Sequence, residues 1–488
     1  MSRSFVFYVV VLLLFGSGIY FLLNYGSKLP AAAASPPATA SAPVHPGVGP
    51  EPAKAPTGIA AAFLENLQSS LSILLLQVII IVVAARALGA LFRKFGQPSV
   101  IGEMVAGILL GPSLLGLLAP GVQGFVFPAS SMGALRLLSQ IGVILFMFVV
   151  GIELDVQHLR QKAHAAVVVS HASIIVPFFL GTASAVVLYP SLAPAGVPFS
   201  AFALFIGVAM SITAFPVLAR ILEERRLTHT HLGATAIACA AVDDVTAWCL
   251  LAVVVAIIRA NGIAGSLMTI GLTLLFIAVM LFVVKPLAAR LVGEPTPGRN
   301  RNGGLLAVIF SFVFASALTT ELIGIHALFG AFLAGVCIPP DSSLRQFLRE
   351  RLETFSSVLL LPLFFAFTGL RTQVGLLADW QSWLMCAGIV AVAITGKLGG
   401  SMTAARFTGM PWGESFALGT LMNTRGLVEL IALNLGYDLG VLSPRIFTML
   451  VLMALITTLM TGPLLHLRNA LSRRRTRIAT LAGGETLV

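Results

Sequence analysis

Residues 234–257 read ATAIACAAVDDVTAWCLLAVVVAI, with two adjacent acids, Asp243 and Asp244, near the middle of the run. A stretch this long and apolar reads as a transmembrane helix. A charge at the bilayer centre costs about 2.5–3.5 kcal/mol on insertion scales, so a carboxylate there faces a bundle interior or a water-filled path. Successive helical positions point about 100° apart, so one acid can face an ion cavity while the other faces a neighbouring helix. Two acids in a dry region titrate as a coupled pair, and a bound cation displaces a proton. A bridge between helices would need only one of them. Ala238, Ala240 and Ala241 beside the pair let another backbone come close.

The rest of the chain fits the same solvent. Hydrophobic residues make up 58% of the 488 positions and charged residues only 10%. A soluble domain carries roughly 25% charged residues, so this chain is an all-α integral membrane protein. Outside an N-terminal apolar run it reads as about thirteen spans, centred near residues 80, 108, 144, 176, 209, 245, 276, 313, 330, 363, 391, 424 and 455. Letting the first run inward puts twenty-one Lys and Arg residues in cytoplasmic segments and six, including Arg136, Arg259, Arg371 and Arg445, in external ones. That placement accounts for the net charge of +11 without nucleic acid. No phosphate-binding loop motif is present, so no nucleotide is expected.

At the start, residues 1–28 hold the run from Phe5 to Leu23, which is either a membrane anchor or a signal peptide. A Pro/Ala-rich external linker follows over 29–58, then a transmembrane domain over 59–467 and a basic cytoplasmic tail over 468–488. Cys239, Cys249, Cys337 and Cys386 lie in or beside apolar runs without CxxC spacing and read as small core residues.

Other polar residues stand where lipid should exclude them. Lys397, in VAVAITGKLGG (390–400), needs a counter-charge, and Asp243 or Asp244 is the natural one; the bland alternative is a lysine snorkelling to the cytoplasmic edge. Two spans look broken. In GVAMSITAFPVLARIL (207–222), Pro216 removes a backbone donor and clashes with the preceding turn, and Ser211 and Thr213 can satisfy the freed groups or bind a cation. In LGTLMNTRGLVELIALNLG (418–436), Asn423, Thr424, Arg425 and Gly426 interrupt the run. Interrupted helices in corresponding positions of two halves point to a midplane site between inverted repeats. Arg425 and Glu429, four apart, can pair with each other, with Glu103 or with a helix end, and they read as structural with gating as the alternative. Glu103 is a candidate additional counter-charge. Glu153 and Asp155 read as interfacial, His171 and His326 as packed, and His229 and His231 as solvated loop residues.

The segments QPSVIGEMVAGILLGPSLLG, GVILFMFVVGIELD, SITAFPVLARIL, VDDVTAW and LMNTRGLVELIALNLG, in this order, resemble the monovalent cation:proton antiporter-2 family, the last being similar to the plant cation/proton exchanger branch. The resemblance covers about residues 70–467. It implies thirteen spans in a core and a dimerisation domain, a homodimer, and a bacterial inner membrane. It also implies that Asp244 is the principal cation and proton carrier, that Asp243 pairs with Lys397, and that Thr213 lies at the first helix break. The paired acids look like sodium exchangers and the NTRGLVEL segment like a potassium-associated branch. The expected function is Na⁺ or K⁺/proton antiport, the metal ion being cargo and no cofactor being needed. A sodium-coupled solute symporter on a similar scaffold is the alternative. An intramembrane aspartyl protease would need its acids on two helices, and a channel would need a filter sequence; the chain shows neither.

Overall fold

A computed structural model of the chain describes residues 3–29, 66, 69–153, 163–228, 230–259, 263–292, 303–339 and 343–483. The described residues are helices and their connections, without strands. Most of the linker, Asp155 and His229 lie outside them, as does the side chain of Glu153.

The helices are α1 (Arg3–Gly26), α2 (Ser70–Lys94), α3 (Ser99–Leu110), α4 (Met132–Glu153), α5 (Ala163–Leu192), α6 (Phe199–Ser211), α7 (Phe215–Glu224), α8 (His231–Arg259) and α9 (Ile263–Val279). They continue with α10 (Gly303–Ile323), α11 (Ala327–Val336), α12 (Ser343–Phe355), α13 (Leu361–Arg371), α14 (Trp380–Phe407), α15 (Trp412–Met422), α16 (Leu427–Asp438) and α17 (Pro444–Gly483). Eleven helices among the described residues, α1 included, are long and apolar enough to cross a membrane, or twelve if α15 and α16, bent by 42°, form one span. The remaining expected spans fall on shorter pieces. The one near residue 209 is α6 plus α7, and the one near 330 is the ten-residue α11. A ten-residue helix rises about 15 Å, half a hydrocarbon core. The last candidate span is Pro444–Arg468, and its helix α17 runs on through the basic segment to Gly483.

Two sets of helices pack mainly within themselves. One comprises α5–α8 and α14–α17, the other α2–α4 and α10–α13; α9 touches both. Glycines allow the closest approaches. A Cβ at Gly107 would lie 2.5 Å from Ala366 Cα, and one at Gly151 would lie 2.1 Å from Phe332 O, so α3 meets α13 and α4 meets α11 backbone to backbone. Helix α1 lies on α5, with Phe15 edge-on to Phe179 at 5.0 Å and Tyr8 edge-on to His171 at 5.4 Å.

Helix α8 shows how lipid and core divide one segment. Val245, Cys249, Val253 and Ile257, spaced by four, are exposed on its outer face, while Asp243, Asp244, Ala247 and Leu251 are buried. Cys249 therefore departs from the expected core position, because its place in this period turns it to the outside; the other three cysteines are buried. The expected external residues Arg136 and Arg371 do meet on one face, where both pair with Asp438.

Candidate ion site at the crossing of two broken helices

The first break is an extended segment, Ile212–Ala214, between α6 and α7. Pro216 does not cause it by kinking a continuous helix. It occupies the first turn of α7, where a missing N–H costs nothing, and so starts the second half-helix. The second break, residues 423–426, separates α15 from α16. The two breaks cross. The Ala214 amide donates to Thr424 O at 3.0 Å, and Thr213 Oγ1 lies 3.1 Å from Met422 O.

The crossing leaves α6 with exposed carbonyls at its C-terminus, the negative end of its dipole. Two buried cations and one hydroxyl take them. Lys397 Nζ donates to Ser211 O at 2.5 Å. Arg425 donates through Nη1 to Ala209 O and through Nη2 to Met210 O, both at 2.7 Å. Ser211 Oγ donates to Val208 O at 2.9 Å, so this side chain closes the helix end instead of pointing at the acids. Arg425 also pairs with Glu429 Oε1 at 3.1 Å, while Glu429 Oε2 has no partner among the described residues. Its backbone is pinned from α17, where Thr458 Oγ1 accepts from Arg425 N at 2.9 Å and donates to Arg425 O at 2.8 Å. Both alternatives for Arg425 thus hold at once, the i,i+4 pair and the helix end. Thr424 Oγ1 donates to Leu421 O and Asn423 Nδ2 reaches Met460 Sδ, so neither side chain turns to the acid pair.

Lys397 does not snorkel; it is fully buried. Its place follows from the sequence TGKLG, which forms a π-helical turn over Thr395–Gly399. Such a turn inserts a residue into the helix and re-aims its side chains. Gly396 and Gly400 let α14 close on α5, a Cβ at Gly396 falling 2.9 Å from Pro177 Cα. Pro177 has no N–H, so Ser173 O, four residues earlier, lacks its helical donor. Lys397 Nζ supplies one at 2.8 Å, and lies 3.0 Å from Ser173 Oγ.

The two acids of α8 then diverge completely. Asp243 Oδ2 accepts from Lys397 Nζ at 2.8 Å, from Ser173 Oγ at 2.6 Å and from Thr213 Oγ1 at 2.6 Å, and its Oδ1 accepts from Ser170 Oγ at 2.5 Å. Four donors on two oxygens is the setting of a carboxylate anion. Asp244 is equally buried, yet neither of its oxygens has a hydrogen-bond partner among the described residues. Trp248 Nε1, one turn along α8, is also buried and has no hydrogen-bond partner among the described residues.

Asp243, Lys397 and Thr213 therefore form one hydrogen-bonded cluster with Asp244 next in the chain, and Arg425 and Glu429 hold the far side of the same helix end. Glu103 does not join them. It is buried on α3, packs at Gly89 of α2, and has Arg86, Arg220 and Arg93 as its charged neighbours. Ser170 and Ser173 belong to the cluster and carried no expectation. Their signal is the SHAS spacing, two hydroxyls three apart and so on one helix face, one turn before the Pro177 that interrupts the apolar run.

The profile of a family described as the transmembrane region of sodium/hydrogen exchangers matches residues 77–467. A Synechocystis protein named Na(+)/H(+) antiporter NhaS4 is 47% identical over 81% of this chain and 97% of its own. Cation/H(+) antiporter 17 of Arabidopsis thaliana is 42% identical over 82% of this chain and 48% of its own length. K(+)/H(+) antiporter 1 of Saccharomyces cerevisiae is 34% identical over 83% and 47% respectively, so the chain spans about half the length of these two relatives. In fold it is similar to a sodium proton antiporter, MjNhaP1 of Methanocaldococcus jannaschii at pH 8, with a TM-score of 0.60, 14% identity, and coverage of 81% of this chain and 96% of the other.

Proposed function

Because the chain belongs to the sodium/hydrogen exchanger family, we propose that this multi-pass membrane protein exchanges a monovalent cation for protons, with Asp244 as the carrier of both. The observation that carries the assignment is the buried Asp244 carboxyl, neither oxygen of which has a hydrogen-bond partner among the described residues. A carboxylate in that position is costly when ionised alone. It is neutralised either by a proton or by a cation, and the two compete for the same oxygens. That competition is antiport.

Asp243 has a different role in this reading. Its oxygens are already filled by Lys397, Ser170, Ser173 and Thr213, so it anchors Lys397 at the helix break instead of exchanging cargo. Thr213 positions Asp243, since its one hydroxyl proton serves the shorter of its two contacts. Lys397 and Arg425 cap the negative end of α6, which leaves Asp244 as the acid of the site without a partner among the described residues.

The same reading includes thirteen crossings, with residues 59–467 as the transport domain and a basic cytoplasmic tail from 468. The set α5–α8 with α14–α17 forms the ion-binding core, and the set α2–α4 with α10–α13 forms the scaffold through which two copies associate. The bacterial inner membrane is its place, and α1 is a retained anchor lying on the core. The relatives named above are antiporters for sodium, potassium or an unspecified cation, and no observation favours a solute symporter.

Reconstituted vesicles with an imposed pH gradient test the function. Adding Li⁺, Na⁺, K⁺ or Rb⁺ in turn should dissipate the gradient with at least one of them. No dissipation with any cation at any pH would refute antiport.

A further inference from the structure

A second polar cluster sits apart from the acid pair, at the seam between the two helix sets. Its centre is Asp438, the last residue of α16. Asp438 Oδ2 lies 2.9 Å from Arg136 Nη2, in the first turns of α4, and Oδ1 lies 2.9 Å from Arg371 Nη1, the last residue of α13. One acid of the ion-binding set is thus gripped by two arginines of the other set. The grip is strongest at Arg371, whose side chain is 14% exposed. Its guanidinium stacks 4.2 Å from the Phe367 ring centroid and 5.2 Å from that of Tyr437, and Nη1 donates to Asn434 Oδ1 at 3.0 Å. A half-buried, stacked, hydrogen-bonded guanidinium holds a carboxylate far better than an exposed pair does.

Other ties on this face are weaker. Arg259 is 3.9 Å from Glu321, with both side chains more than a third exposed, and the Gln373 amide donates to Thr448 Oγ1 at 3.1 Å. Beside Asp438 lies a small cavity of about 40 Å³ whose lining comes from both sets: Ser139, Gln140 and His326 on one side, Ile431, Asn434 and Asp438 on the other. The lining of α16 leads inward. From Asp438 to Glu429, which pairs with Arg425 at the break, is nine residues, or about 14 Å of helix.

We propose that Asp438 is a latch that holds α16 against α4 and α13, and that release of the latch opens the seam cavity as the cation's passage from this face. The proposal rests on the antiport reading for what passes, but not for whether the seam opens. Ser139 reports on it. Ser139 is only 1% exposed, lies one turn along α4 from Arg136, and lines the cavity. Cysteine replaces serine there with little change of shape.

The test uses full-length protein in vesicles with Cys249, the one exposed native cysteine, changed to alanine. Ser139→Cys is labelled by a membrane-impermeant thiol reagent, with the exposed Ser191→Cys at the end of α5 as a control. D438N should raise the labelling rate at position 139 about tenfold or more and leave position 191 unchanged. R136Q, which keeps the Arg371 pair, should give a smaller rise and serves if D438N does not fold. Equal increases at both positions, or no increase at 139, would overturn the latch. Wild-type cation/proton exchange is measured in the same vesicles, so a failure of the antiport reading is seen separately from a failure of the latch.

Discussion

Lys397 Nζ lies 2.8 Å from Asp243 Oδ2, with both side chains fully buried, while Asp244 in the next position has no hydrogen-bond partner on either oxygen among the described residues. One acid is committed to structure and its neighbour is not. Removing one partner of a buried pair typically costs about 3–5 kcal/mol, because a charge is left uncompensated. Replacing both with neutral groups costs much less. D243N and K397M alone should therefore each lower the thermal midpoint of purified protein more than the D243N/K397M double change does. A double variant as unstable as the sum of the singles would contradict the pairing.

The serines of α5 give a finer test. Ser173 Oγ bridges Asp243 Oδ2 and the Lys397 ammonium, so S173A leaves both short of a contact. An unmade buried hydrogen bond costs about 1–3 kcal/mol. S173A should destabilise by that amount in denaturation and slow exchange, whereas S184A, whose hydroxyl bonds only to Gly181 O in its own helix, should do neither.

Pro177 keeps Ser173 O available to Lys397. P177A would return an N–H to the helix and offer that carbonyl a rival donor. The expected result is slower exchange in vesicles with little loss of thermal stability, since a helical hydrogen bond is gained. Unchanged exchange would show that the freed carbonyl is dispensable.

Arg425 spans two carbonyls and a carboxylate with one planar fork. Lysine keeps the charge but cannot serve three acceptors in that geometry. R425K should lose at least tenfold in exchange rate and lower the thermal midpoint. E429Q removes one contact and should be the milder change.

Much of this site was legible in the sequence, and the reason is the solvent. Lipid makes each ionisable residue in an apolar run conspicuous, so Asp243, Asp244, Lys397, Arg425 and Glu429 stood out singly, and charge neutrality suggested the Lys397 pairing. Neutral hydroxyls carry no such penalty. Ser170 and Ser173 looked like ordinary small residues, although they supply two of the four donors to Asp243. The break near Pro216 is visible in the sequence but its form is not, because proline either kinks a helix or starts one, and only the neighbouring backbone decides which. Glu103 was conspicuous for the same reason as the others, yet its arginine neighbours come from two helices, α2 and α7, that spacing could not bring together. The form of two expected spans was least legible: the one near residue 209 is two half-helices, and the one near 330 is the ten-residue α11.

The central claim is that Asp244 carries cation and proton while Asp243 holds Lys397. The most direct measurement is exchange by D244N and D243N side by side in proteoliposomes, each normalised to folded protein. D244N should keep the fold and abolish cation-dependent proton movement. D243N should lose stability and retain some exchange. Robust exchange by D244N, or a stable D243N with none, would reverse the two roles and contradict the account.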